Sequence, residues 1–136
     1  MKLLILFLVT LLIIFILDMI WLGFIAKNLY AQNIGMLLRK SGEQMDPIWW
    51  SAGVVYFCIT LGILFFVLPA ANGNYILALT GGAVLGVVTY GIYDFTNYSI
   101  IANWPWKITI IDFFWGIFLC GLSSLLAALI QNRLFE

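Results

Sequence analysis

The chain has 136 residues, of which 65% are hydrophobic and only 9% are charged. A soluble domain of this size could not bury so much apolar surface, so the composition predicts a protein whose solvent is membrane lipid. The net charge is zero and no basic run occurs, which argues against nucleic acid as a partner. There is no histidine, and Cys58 and Cys120 lack a CxxC spacing, so we expect no metal and no cofactor.

Four segments are long and apolar enough to cross a hydrocarbon core of ~30 Å, which needs roughly 20 helical residues. They form one domain over residues 1–136, with spans at about 3–26, 48–68, 75–95 and 108–130. The first run is too long for the apolar core of a signal peptide, so we expect it to be retained. Because the alternating polarity of barrel strands is absent, the sequence predicts an all-α integral membrane protein, a four-helix transmembrane bundle.

Turn and cap residues separate the spans. Asp46-Pro47 is typical of the beginning of a helix and would open span two, whereas Pro69 and Asn72-Gly73-Asn74 would close the short turn before span three. Trp104-Pro105-Trp106-Lys107 would open span four at interface depth.

The loop over residues 27–46 carries apolar side chains on one face if it is helical, namely Tyr30, Ile34, Leu37 and Leu38. This pattern predicts a short interfacial helix between spans one and two, and a disordered loop is the alternative.

Lysine and arginine set the expected orientation. Lys27, Arg39, Lys40 and Lys107 lie in the loops after spans one and three, whereas Lys2 and Arg133 lie on the other side. The excess places those two loops in the cytoplasm and both termini outside. Membrane lipid, a small lipophilic ligand and a second copy of the chain are the expected partners.

Three carboxyl groups lie within the predicted spans. Asp18 is ~12 Å inside span one at 1.5 Å per residue, Asp94 ends span three, and Asp112 is in the second turn of span four. The directions of the spans put all three at one level of the membrane. Because an ionised aspartate at the bilayer centre costs ~2.5–3.5 kcal/mol, we expect the three to surround one pocket, with at least one protonated near neutral pH.

Aromatic and polar side chains accompany these acids. Trp21 and Trp115 each follow an aspartate by three residues and therefore share its helical face. In span three, Tyr90, Tyr93 and Asn97 follow Gly86 on one face, with Asp94 at its edge. The predicted ligand-binding residues are therefore Asp18, Trp21, Tyr90, Tyr93, Asp94, Asn97, Asp112 and Trp115, and Asn97 is expected to hydrogen bond one of the acids.

Small residues at steps of four run along spans three and four. Gly82 and Gly86 lead toward Asp94, while Gly116, Cys120, Ser124 and Ala128 follow Asp112. Such stripes let two helix backbones approach closely, so we expect spans three and four to pack against each other.

The stretches "AGVVYFCITLGILFFVLPA" and "GGAVLGVVTYGIYDFTNYSIIANWPWKITIIDFFWG" resemble a family of small bacterial four-span membrane proteins of unknown function. The similar pattern is Y-D-(L/F)-T-N, then W-P, then D-x-x-W-G. Here these positions are residues 93–97, 104–105 and 112–116. The resemblance implies the four-span architecture and adds no reaction.

Three functions remain open on the sequence. The first is binding or proton-coupled transport of a small lipophilic cation by the carboxylates and aromatic rings. The second is a metal-free membrane enzyme in which Asp18, Asp94 or Asp112 acts as a general acid on a lipid or isoprenoid chain. The third is an accessory subunit whose acids serve only as internal hydrogen-bonding groups.

Overall fold

The computed structural model describes residues 1–135, and four of its helical segments are long and apolar enough to cross a membrane. The predicted all-α four-span fold is confirmed. The segments cover Lys2–Ile25, Trp49–Ala71, Tyr75–Ile100 and Trp106–Leu134. We refer to them as spans one to four. Span three continues to Ile100 rather than ending at residue 95, so Asp94 lies inside the helix and not in its last turn.

Span one consists of α1, Lys2–Ile20, and a π-helical turn, Trp21–Ile25. Every fourth side chain of α1 is buried, and the series Leu6, Thr10, Ile14, Asp18 forms its inner face. This face ends at Asp18, and the π-helical turn begins three residues later, at Trp21. The wider turn shifts the phase of the following residues, and such turns often occur at functional sites.

The segment between spans one and two contains the predicted short helix, α2, Lys27–Ile34. It ends earlier than the pattern suggested, so Leu37 lies beyond it and is exposed. Tyr30 and Ile34 do not face outward from the bundle but pack with Ala26 and Ile108. The helix therefore covers one end of the bundle.

A small antiparallel hairpin follows α2. Its strands are β1, Lys40–Ser41, and β2, Gln44–Met45, and Gly42 has the positive φ of 65° that the turn requires. Asp46 extends the hairpin, because its N–H donates to the Arg39 carbonyl over 2.9 Å. The prediction that Asp46-Pro47 caps span two is therefore wrong: Ile48 occupies the N-cap position, and its side chain makes no capping bond.

Span two is built from α3, Trp49–Gly62, a π-helical turn, Ile63–Val67, and α4, Leu68–Ala71. Pro69 lies inside this last helical segment instead of ending the span. A proline ring crowds the preceding turn of a regular α-helix, and the π-helical turn directly before α4 relieves that crowding.

The connection between spans two and three is the predicted tight turn. Asn72 and Gly73 have positive φ values of 47° and 80°. Asn74 then caps α5, Tyr75–Ile100, because its side-chain oxygen accepts from the N–H groups of Ile76 and Leu77 at 2.9 and 3.1 Å. Near the other end of the chain, Asn132 donates to the Gly73 carbonyl over 3.1 Å, which ties span four to this turn.

The closest helix pair is α5 with α6, Trp106–Phe135. A Cβ atom on Gly86 would lie 2.7 Å from the Ile117 Cα, so only glycine allows this approach. The buried positions of α5 are Ala78, Gly82, Gly86 and Asp94. Asp94 ends this buried series, as the steps of four from Gly82 and Gly86 predicted, and it does not lie at the edge of a buried face that carries Tyr93 and Asn97.

The remaining contacts leave a gap between spans two and three. Span one packs on both α6 and α3, whereas α5 packs mainly on α6. Spans two and three meet mainly through α5 against the π-helical turn and α4, near their shared turn. The ends of α3 and α5 that are remote from this turn therefore diverge, and the candidate site lies there.

Candidate functional site

The carboxyl group of Asp18 is held by two donors from other spans. The Tyr56 hydroxyl on α3 donates to Oδ2 over 2.8 Å, and the Trp115 indole N–H on α6 donates to Oδ1 over 2.9 Å. Asp18 itself is only 8% exposed. One aspartate thus joins three spans, and both of its oxygens are oriented by the fold.

Asp112 is held by a similar pair, with a tyrosine between the acid and the indole. The Tyr30 hydroxyl on α2 donates to Asp112 Oδ1, and the Trp21 N–H donates to the Tyr30 oxygen over 3.3 Å. Burial, together with the negative charge of Asp112, raises the pKa of Tyr30. The phenol therefore stays neutral and continues to donate well above the ordinary tyrosine range.

The indoles of Trp21 and Trp115 connect the two carboxyl groups. Their rings stack with centroids 4.5 Å apart and planes only 5° from parallel. Each indole also takes part in the hydrogen bonding of one acid, directly at Asp18 and through Tyr30 at Asp112. Displacing one indole would therefore disturb the orientation of both acids.

Asp94 is fully buried between α5 and α6. No donor among the described residues reaches either of its oxygens, so the predicted hydrogen bond from Asn97 does not reach this acid. Its polar neighbour is the carboxyl group of Asp112. Two neighbouring carboxyl groups repel each other when both are ionised.

A cavity of about 400 Å³ gives access to Asp18 and Asp112. Two of the predicted site residues, Tyr90 and Tyr93, line it as well. Most of the remaining wall is apolar, from Leu22, Ile34, Leu38, Met45, Val55 and Ile59. Its volume is within the range of about 300–1,000 Å³ that is usual for small-molecule sites.

The other predicted site residues do not line this cavity. Trp21 and Trp115 take part in the hydrogen-bonded network of the two acids, and Asp94 lies against Asp112. Asn97 is half-buried and interacts with Tyr93, which is itself 52% exposed. The structure thus brings together the acids and indoles of the predicted set and leaves Asn97 at the margin.

Tyr30 and Tyr56 were not among the predicted site residues, although both donate directly to an acid. Tyr56 is a single phenol among apolar neighbours in sequence, and Tyr30 lies in a mostly polar segment. A buried tyrosine hydroxyl needs a hydrogen-bond partner, and the acids are the strongest acceptors available. This requirement could have suggested that each hydroxyl bonds an acid. Which acid it bonds could not be predicted, because that depends on how α2 and spans one, two and four pack.

Among the described residues, no group of three or more Cys, Asp or Glu side chains is arranged to hold a metal ion. The chemistry that the arrangement provides is that of carboxyl groups in an apolar cavity. Such groups can bind a cation or exchange a proton with a molecule in the cavity.

Comparison with known proteins gives the family and no activity. No curated protein and no solved structure matches the chain. Residues 3–129 match a family described as "Predicted membrane protein (DUF2177)". This match covers nearly the whole chain and agrees with the four apolar helices, and the chain accordingly belongs to the DUF2177 family of predicted membrane proteins.

Proposed function

We propose that the cavity binds a small lipophilic cation at Asp18 and Asp112 and exchanges it for a proton, as the basis of binding or transport. The observation that carries the proposal is the presence of two carboxyl groups in one largely apolar cavity. An unpaired charge is costly in such a cavity, so each acid favours either a proton or a cationic partner.

Aromatic rings support a cation over a neutral ligand. Tyr90 and Tyr93 line the same cavity, and ring faces attract cations by about 0.5–2 kcal/mol. The donors from Tyr30, Tyr56 and Trp115 fix the carboxyl groups in place before a ligand arrives. A site that is already organised loses less entropy on binding.

The general-acid alternative would use the same protonated carboxyl groups. It differs in that a substrate bond, rather than bulk water, would take up the proton. A purely accessory role predicts something different again, since the acids would then act on no ligand and their amide variants would behave as wild type.

We also place the protein in the cytoplasmic membrane of a bacterium, with the loop of α2 and the hairpin on the cytoplasmic side. The support is the excess of lysine and arginine in that loop and in the one before span four.

Equilibrium binding of tetraphenylphosphonium to the purified protein in detergent tests the proposal. Wild type should bind the probe more tightly at pH 8 than at pH 5, because protons compete with the cation for the carboxyl groups. Asp18→Asn should weaken binding about tenfold or more, which corresponds to ~1.4 kcal/mol. The exposed Asp46→Asn is the matched control and should bind as wild type does. Equal affinity for wild type and Asp18→Asn would overturn the proposal.

A further inference from the structure

We infer that the ligand of this cavity is dissolved in the bilayer and enters sideways, through the gap between α3 and α5. The inference rests on the proposed function for the identity of the ligand as a lipophilic cation. The route itself follows from how the spans pack, and it can be tested without any cation.

The gap is closed at the end that is nearer to the turn between spans two and three. A Cβ atom on Gly62 would lie 3.0 Å from the Leu85 side chain, so spans two and three touch at this level. Between this contact and their shared turn, the two spans remain packed through the π-helical turn and α4. These contacts therefore limit the opening to the part of spans two and three that is remote from their shared turn.

Beyond that contact, the two helices diverge and their cavity-lining side chains are open to the lipid side. Val55 on α3 and Tyr93 on α5 both line the cavity, and each is 52% exposed. Ile59, one turn nearer to the Gly62 contact, lines the same cavity and is only 5% exposed. The exposure thus increases from Ile59 to Val55, as expected for a lateral opening that widens away from Gly62.

The hairpin side of the cavity is partly covered by α2. Leu38 and Met45 line the cavity at this end, and α2 covers it through Tyr30 and Ile34. The Tyr30 hydroxyl is also bonded to Asp112, so opening this side would break a hydrogen bond of the site. On the lateral side, the side chains of Val55 and Ile59 are apolar, so moving them breaks no hydrogen bond.

The route defines the class of ligand. A molecule that enters between two apolar helices must first dissolve in the hydrocarbon region, which excludes small hydrophilic cations. An amine or quaternary ammonium carrying an alkyl chain or apolar rings meets both requirements. Its charge would lie at Asp18 and Asp112, and its apolar part would lie along Val55 and Ile59.

Thiol labelling in phosphatidylcholine liposomes tests the route. Thr89→Cys places a small thiol in the cavity wall, in a Cys58→Ser, Cys120→Ser background. An N-alkyl maleimide dissolved in the lipid should react with this thiol faster than a charged, membrane-impermeant maleimide does. Val55→Trp should slow the N-alkyl maleimide about tenfold, the effect of ~1.4 kcal/mol of added barrier. Val54→Trp is the matched control, since Val54 is 51% exposed and does not line the cavity.

The outcomes separate this inference from the proposed function. Equal maleimide rates in Val55→Trp and Val54→Trp would overturn the lateral route. A reaction that Met45→Trp slows, while Val55→Trp leaves it unchanged, would place the entrance at the hairpin and also overturn it. Neither result depends on tetraphenylphosphonium binding. The lateral route can therefore be wrong while the cation site is right, and the cation site can be wrong while the lateral route is right.

Discussion

At the scale of single residues, two aspartates are oriented by phenol and indole groups rather than by basic side chains. Asp18 accepts from Tyr56 and Trp115, and Asp112 accepts from Tyr30. Neutral donors orient a carboxyl group without neutralising its charge. A cation from outside the protein can therefore still gain from the full charge of the carboxylate, which a permanent lysine or arginine partner would already have cancelled.

Tyr30→Phe should destabilise the protein by about 1–3 kcal/mol, because the half-buried Asp112 Oδ1 loses the donor that the buried Tyr30 supplies. The raised pKa of Tyr30 determines in which direction the stability contributed by its hydroxyl changes with pH. Its stabilising effect is complete below the unfolded tyrosine pKa of about 10 and is lost as the pH rises above that value. The difference between wild type and variant in denaturant unfolding in detergent should therefore shrink in strong base.

Tyr98→Phe is the control for this variant, because Tyr98 is 47% exposed and packs its ring on Trp106. The control should unfold like wild type. If Tyr30→Phe were as stable as Tyr98→Phe at pH 7, the Tyr30 hydroxyl would not be holding Asp112.

At the scale of helices, the small-residue stripes of α5 and α6 determine where the acids lie. The stripes themselves could be predicted from sequence, since Gly82, Gly86, Cys120 and Ser124 recur at steps of four. The same steps of four lead to Asp94, but an ideal helix lines up Gly86 better with Tyr93 and Asn97, so the sequence offered two candidate faces. Only the packing of α5 on α6 selects the ridge that ends at Asp94.

Gly86→Ala should destabilise the protein by about 1–3 kcal/mol, the usual cost of overpacking, since its Cβ would meet the Ile117 backbone. Gly53→Ala is the matched control in α3, where a Cβ has nothing within 4 Å. It should be neutral or stabilise the helix by up to about 1 kcal/mol. Thermal unfolding of both variants in detergent measures the contrast, and equal effects would contradict the close α5–α6 contact.

At the scale of the whole molecule, the architecture consists of four spans and the short helix α2, which covers one end of the bundle. Length and hydropathy were sufficient to predict the spans, and the 27–46 segment was correctly assigned a short helix. The hairpin was not predicted, because its strands have only two residues each and no alternating pattern. A pocket at the acids was expected from sequence, but its opening between α3 and α5 was not, because it depends on these helices diverging beyond the Gly62–Leu85 contact.

An even number of spans predicts that the α2–hairpin segment and the carboxyl-terminal end lie on opposite faces of the membrane. We therefore compare Arg39→Cys and Arg133→Cys, each as a single cysteine in the cysteine-free background. An impermeant maleimide should label only one of the two in intact cells, and the other only after the membrane is permeabilised. Labelling of both from the same side would contradict the four-span topology.

The central claim is that Asp18 and Asp112 exchange protons for a cation in one cavity. The most direct measurement is the number of protons released when tetraphenylphosphonium is added to the detergent-solubilised protein in weakly buffered solution. Wild type and Asp46→Asn should release protons on binding, and Asp18→Asn and Asp112→Asn should release clearly fewer. Binding without proton release in wild type, or unchanged release in both site variants, would contradict the account.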